Sequence, residues 1–151
     1  QMQSDGIDKR YLTLLKGEMP GAEKLVEQPL QKNTLSSGER MVRIDPTGKK
    51  AKTLFIKKQG WHRAQFTEVK LFTGRTHQIR VHAASLGQPV AGDDKYGDRE
   101  FNKSMKTLGL KRMFLHAWRL GILHPLSGAA LELEAPLPEA LNNVITQLDA
   151  P

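Results

Sequence analysis

Arg75 and Arg80 stand in the run Gly74-Arg75-Thr76-His77-Gln78-Ile79-Arg80, and their chemistry is anion capture. Ile79, Ala83 and Leu86 recur at helical spacing, so a helix is expected from about Thr76 to Leu86, closed by Gly87. Both guanidiniums then lie at or near the positive end of that helix. The dipole there favours negative charge by about 0.3–1 kcal/mol. A docked anion would make sense of the two cations, either a buried carboxylate or a nucleic-acid phosphate. A solvated surface helix with ordinary basic residues would read the same way from local physics alone.

Other chemistries are poorly supported. The chain has no cysteine, which removes disulfides, thiolate nucleophiles and cysteine-based zinc sites. His77 and His82 are spaced i, i+5, not the i, i+4 of a helical zinc pair, so no metal site is expected and structural histidines are the better reading. Pro46-Thr47-Gly48-Lys49-Lys50 lacks the spacing of a phosphate loop. Asp45, before Pro46 and Gly48, reads as a turn aspartate. The net charge of +7 and a pI near 9.8 bias the protein toward polyanions, nucleic acid first among them. The basic residues are dispersed, so a broad positive face is expected instead of a disordered basic tail. No apolar run approaches the roughly 20 residues that span a bilayer.

The order of residues adds more. Gly74-Arg75-Thr76-His77-Gln78-Ile79-Arg80-Val81-His82, the small-residue run Leu86 to Gly97, and Met113-Phe114-Leu115-His116-Ala117 together resemble the pseudouridine synthases of the large-subunit ribosomal RNA type. Asp93 to Phe101, with upstream Pro29-Leu30-Gln31-Lys32-Asn33 and Ser37 to Arg43, is most similar to the synthase C branch. The likeness runs from about Asp8 to Leu148 and makes Asp93-Asp94 part of a structural turn. It implies an isomerase that detaches uracil and rejoins it through carbon 5, with no cofactor and no metal, acting on large-subunit rRNA in the cytoplasm. It also implies that residues 1–151 are the C-terminal portion of a catalytic domain, whose nucleophilic aspartate stands in a segment before Lys9. The missing N-terminal half would then be a partner, and the chain alone is expected to be inactive. Arg80 matches the family arginine that pairs with that aspartate, and Tyr11, in Lys9-Arg10-Tyr11, the tyrosine that stacks on the target base. Leu115 and His77 are expected beside the substrate pocket, and Arg75, Lys9, Lys49 and Lys50 against RNA phosphates. Arg80 and Tyr11 are expected on one concave wall, with Arg80 on solvent, an anion or a substitute acid but not paired with Asp45. A non-catalytic RNA-binding module and a ribosome-associated structural protein are the alternatives.

The elements that must position these residues suggest an α+β fold, mostly an antiparallel or mixed sheet with a few helices. Strands are expected at Lys9–Lys16, Glu23–Gln28, Arg40–Ile44, Ala51–Lys58, Ala64–Leu71, Met113–Leu123 and Ala130–Glu134. Lys32–Glu39 reads as a polar loop, and His124–Gly128 as a turn. A second short helix falls within Asp98–Gly109, and a last one starts at Pro138-Glu139 with Leu141, Val144, Ile145 and Leu148 as its apolar stripe.

Overall fold

A computed structural model describes residues 7–123, 127–128 and 130–150. The strands are β1 (Ile7–Lys16), β2 (Glu23–Glu27), β3 (Leu30–Thr34), β4 (Arg40–Ile44), β5 (Lys52–Gly60), β6 (Ala64–Leu71), β7 (Leu115–Leu123) and β8 (Ala130–Glu134). The helices are α1 (Gln78–Ser85), α2 (Arg99–Lys106) and α3 (Glu139–Asp149). Six strands form one sheet in the order β2-β5-β6-β1-β7-β8, and β3 pairs with β4 as a separate hairpin. Every pairing is antiparallel.

β1 is central because both of its faces are apolar at one end. Side chains alternate across a strand, so Leu14 and Leu15 enter different cores. On one face Leu14 joins Ala64, Phe101, Met105, Phe114, Leu141 and Val144, which brings α2 and α3 down onto the sheet. On the other, Leu15 joins Phe55, Val69, Ile79, Ala83 and Val90, which seats α1. Full burial of each such side chain contributes about 1.5–3 kcal/mol. A third cluster, Leu30, Val42, Ala51 and Val81, packs the β3–β4 hairpin onto the outer side of α1.

Several expectations need correction. Residues 32–34 are not loop but the end of β3, in register Leu30↔Ile44 to Thr34↔Arg40. Its residues after Leu30 are all exposed, so no hydrophobic alternation marks the strand, and backbone pairing alone defines it. The loop is confined to the hairpin tip, where Gly38 takes φ 90°. α1 starts at Gln78, not Thr76, because His77 adopts the left-handed conformation, φ 54° and ψ 21°. Gly87, at φ 74°, closes it as expected. α2 falls within Asp98–Gly109 as expected, with the Asp98 carboxylate accepting from the Phe101 amide at 2.9 Å as its N-cap. β7 begins at Leu115, not Met113. β3 apart, the expected strands are present to within about two residues, the usual ambiguity of element ends. The expected turn at His124–Gly128 lies mostly outside the described residues.

Candidate functional site

Arg80 is the first-turn residue of α1 whose charge opposes the helix dipole, and its anion is Asp93. Nε donates to Oδ2 at 2.9 Å and Nη2 to Oδ1 at 2.8 Å, a two-pronged clasp. The Asp93 side chain is fully buried, while that of Arg80 keeps 17% exposure. Asp93 Oδ1 also accepts the backbone N–H groups of Lys95 and Tyr96, at 2.9 and 3.1 Å. Burial pushes the Asp93 carboxyl upward, but Arg80 and these two amides outweigh it and hold the pKa below the ordinary value. The same bond raises the Arg80 pKa above its usual level.

The turn that carries Asp93 is itself pinned. Gly92 stands at φ 80°, and a Cβ there would meet the Arg112 carbonyl oxygen at 2.6 Å. Asn102 of α2 accepts from the Gly92 amide at 2.8 Å and donates to the Asp93 carbonyl at 3.0 Å. Tyr96, three residues on, presents its ring to the Arg80 guanidinium at 5.0 Å. Its hydroxyl accepts from the Val42 amide at 2.9 Å and lies 2.8 Å from His77 Nδ1. With the hydroxyl already accepting from Val42, its own proton is free to go to Nδ1, which suits a neutral imidazole. Burial first, and then the Arg80 charge, lower the His77 pKa. Tyr96 therefore ties the hairpin to the strained start of α1.

Gln78 and His82 extend this network inward. Gln78 Oε1 accepts from the Thr73 hydroxyl at 2.8 Å and the Arg75 amide at 3.0 Å. Its Nε2 donates to the Lys52 carbonyl at 2.9 Å and the Thr53 hydroxyl at 2.8 Å. Thr53 reaches His82 Nδ1 at 2.7 Å, and His82 Nε2 meets the Gln28 carbonyl at 2.9 Å. Every polar atom of the buried Gln78 amide is thus satisfied, and the Thr73–Arg75 loop is fixed to β5.

Arg80 and Tyr11 each line a described concavity. Arg80 lines a cavity of about 530 Å³ with Gly92, Lys95, Asn102, Arg112 and Met113. Tyr11 lines a groove of about 410 Å³ with Lys9, Ala117, Leu120 and Leu133. Ile79 turns to the sheet core against which Tyr11 packs, and the next residue points about 100° away. Met113 lines the Arg80 cavity and packs on the same core as Tyr11 and Leu115. His77 lines neither concavity. Asp45 is not a partner of Arg80; it accepts from Thr47 Oγ1 at 2.7 Å and Arg43 Nη2 at 3.1 Å within its own turn.

The backbone brings the expected phosphate cations Arg75, Lys9 and Lys50 to one end of the sheet. Arg75 Nε donates to the Lys50 carbonyl at 2.8 Å, and Lys9 Nζ lies 3.3 Å from where a Cβ on Gly74 would stand. Lys49 is held at the hairpin base through its backbone, by paired bonds with Leu30 of 2.9 and 2.8 Å. Reasoning from sequence took Asp93 as a turn residue and missed its bond to Arg80, along with the roles of Tyr96 and Gln78. The signal available was the pair of cations calling for a buried carboxylate.

The family model for RNA pseudouridylate synthases matches residues 1–85. The ribosomal large subunit pseudouridine synthase C of Pasteurella multocida (strain Pm70) is 42% identical over 148 residues, 98% of this chain and 45% of that protein. That of Escherichia coli (strain K12) is 42% identical over 150 residues, 98% and 47%. The chain thus spans a little under half the length of these curated relatives. In structure it is similar to human RNA pseudouridylate synthase domain containing 1, with a TM-score of 0.72 at 24% identity over 97% of this chain and 67% of that one. Human RNA pseudouridylate synthase domain containing 4 gives 0.72 at 22%, over 94% and 62%. These two likenesses concern the fold.

Proposed function

The chain belongs to the RNA pseudouridylate synthase family, and from that premise we propose that it is one part of an enzyme converting uridine to pseudouridine in large-subunit rRNA. The reaction breaks the bond from ribose to the base nitrogen, turns the base, and rejoins it through carbon 5. The nucleophilic aspartate comes from the part of the relatives' length that this chain does not span. Arg80 is the residue that meets it, Tyr11 stacks on the flipped base with Leu115 beside it, and Arg75, Lys9, Lys49 and Lys50 hold phosphates. The site faces the cytoplasm, where the rRNA partner is found.

The observation that carries this reading is the geometry of Arg80. Its Nε and Nη2 are locked on Asp93, while Nη1 has no hydrogen-bond partner among the described residues. A guanidinium fixed in this way, at the wall of a cavity with Lys95, Lys106, Lys111 and Arg112, is preorganised for a second carboxylate. Lysine cannot replace it, since an ammonium lacks the planar fork. The test is tritium release from 5-labelled uridine in rRNA. The chain alone should give none. A longer protein with the aspartate segment should turn over, and should lose activity by at least about a hundredfold on Arg80→Lys. Turnover by the chain alone, or full activity of the lysine variant, would refute the assignment.

A non-catalytic RNA-binding module is the second reading, favoured by the net charge of +7 and by Lys9 Nζ lying beside Gly74, next to Arg75. It is distinguished by the longer protein binding rRNA tightly with no tritium release.

A further inference from the structure

Phe72 follows β6 directly and carries two ammonium groups on its ring. Lys52 Nζ lies 4.7 Å from the ring centroid and Lys70 Nζ 5.0 Å. The ring is half-buried, yet it belongs to none of the three core clusters. Neither lysine has a carboxylate within ion-pair distance among the described residues. Trp118 is the contrasting case. Lys58 and Arg119 stand over it at 5.8 and 4.7 Å, but Lys58 is taken up by Glu68 at 3.6 Å and Arg119 by Glu132 at 3.5 Å. The positive charge around Phe72 is the charge left unspent.

The backbone around it is held in place. The Phe72 amide donates to the Lys52 carbonyl at 3.1 Å, and the Lys52 amide to the Thr73 hydroxyl at 3.0 Å. Gln78 donates to the same Lys52 carbonyl at 2.9 Å. Lys52 opens β5, Phe72 leaves β6, and Lys9 pairs with Leu71, so all of them share one end of the sheet with Gly74 and Arg75. We propose that Phe72, Lys52 and Lys70 form a subsite for one unpaired nucleotide of the bound RNA, the base stacking on the ring and the lysines taking the adjoining phosphates. This rests on the reading above that the ligand is RNA. A cation over a ring still partly open to water is held more weakly than a stacked base. An incoming base therefore replaces one ammonium on Phe72, and that ammonium moves to the phosphate. Two like charges beside one ring are also relieved when a polyanion arrives.

The experiment compares two single-stranded 12-mers, one uridine-rich and one abasic, binding the chain across a salt series. Phe72→Leu should weaken the uridine-rich RNA roughly tenfold, leave the salt slope unchanged, and leave the abasic RNA unaffected. Phe72→Tyr should restore binding, which controls for folding. Lys52→Gln with Lys70→Gln should reduce the log–log salt slope by about 1.4. Wild-type binding with a steep slope that Phe72→Leu does not alter would overturn the subsite and leave the RNA reading standing. A wild-type chain with no salt-dependent RNA binding would overturn both. Lys52 and Lys70 shielded from acetylating reagent in the longer RNA-free protein would mean that protein, not RNA, covers the ring.

Discussion

Asp93→Asn is the most informative single change. Asparagine keeps Oδ1 to accept from the Lys95 and Tyr96 amides. It sets an NH₂ group against Arg80 Nε, at a contact now 2.9 Å long, and removes the negative charge. Breaking a buried ion pair by deleting one partner costs about 3–5 kcal/mol. Arg80 keeps 17% of its side-chain surface, so water offsets part of that loss and about 3 kcal/mol is expected. A domain of this size has about 5–15 kcal/mol in total, and the loss corresponds to a Tm lowered by about 6–12 °C. Urea unfolding followed by tryptophan fluorescence would measure it, with Arg80→Met and the double variant closing a cycle. The pH dependence gives an independent sign. The Asp93 pKa is depressed in the folded state, so its contribution is present above the unfolded carboxyl value near 3.8 and is lost as pH falls through the folded value. That part of the acid limb should vanish in Asp93→Asn. A loss below about 1 kcal/mol, or strict additivity with Arg80→Met, would show that the clasp is not what anchors the start of α1.

Two further outcomes concern the surrounding network. Burial holds the His82 pKa below the ordinary imidazole value near 6.5, only partly opposed by the Gln28 carbonyl. The unfolded chain therefore binds the proton first, and stability should fall as pH drops below about 6.5 and be flat above it, as far as His82 is concerned. His77 acts in the same direction. Replacing His82 with Gln should flatten part of this limb in denaturant titrations at several pH values, and an unchanged limb would contradict its buried neutral state. Tyr96→Phe leaves the Val42 amide and His77 Nδ1 without their hydroxyl partner and should cost about 1–3 kcal/mol. Hydrogen exchange should rise mainly in β3 and β4, and a uniform rise across the sheet would argue against a local tether.

Much of the fold was legible because apolar residues alternate in β6 and recur at helical spacing in α3. β3 was not, since a strand with solvent around nearly all its side chains leaves no hydrophobic trace. α1 was half legible. Ile79, Ala83 and Leu86 announced the face on the sheet, but Val81 packs outward against a hairpin the sequence did not declare. For the site, two cations at a helix start pointed to an anion, left open between a carboxylate and a phosphate, and Arg80 meets a carboxylate. The choice of Asp93 depended on a turn that Gly92 and Asn102 bring back onto the helix, a long-range fact that spacing does not encode. Spacing also could not say which cavity Arg80 lines, because Ile79 and Arg80 point about 100° apart on the helix.

The pairing of β1 has a consequence for synthesis. Its first neighbour, β6, lies about fifty residues downstream, and its second joins Ile7 to Ile122. At a translation rate of about 5–20 residues per second, the strand waits roughly 6–23 s for that second edge to be covered. Throughout that interval Leu14 and Leu15, destined for opposite cores, are both open to whatever the nascent chain meets. Asp8, Lys9 and Arg10 then serve as gatekeepers at the head of the strand, making the unfinished edge a poor template for another chain.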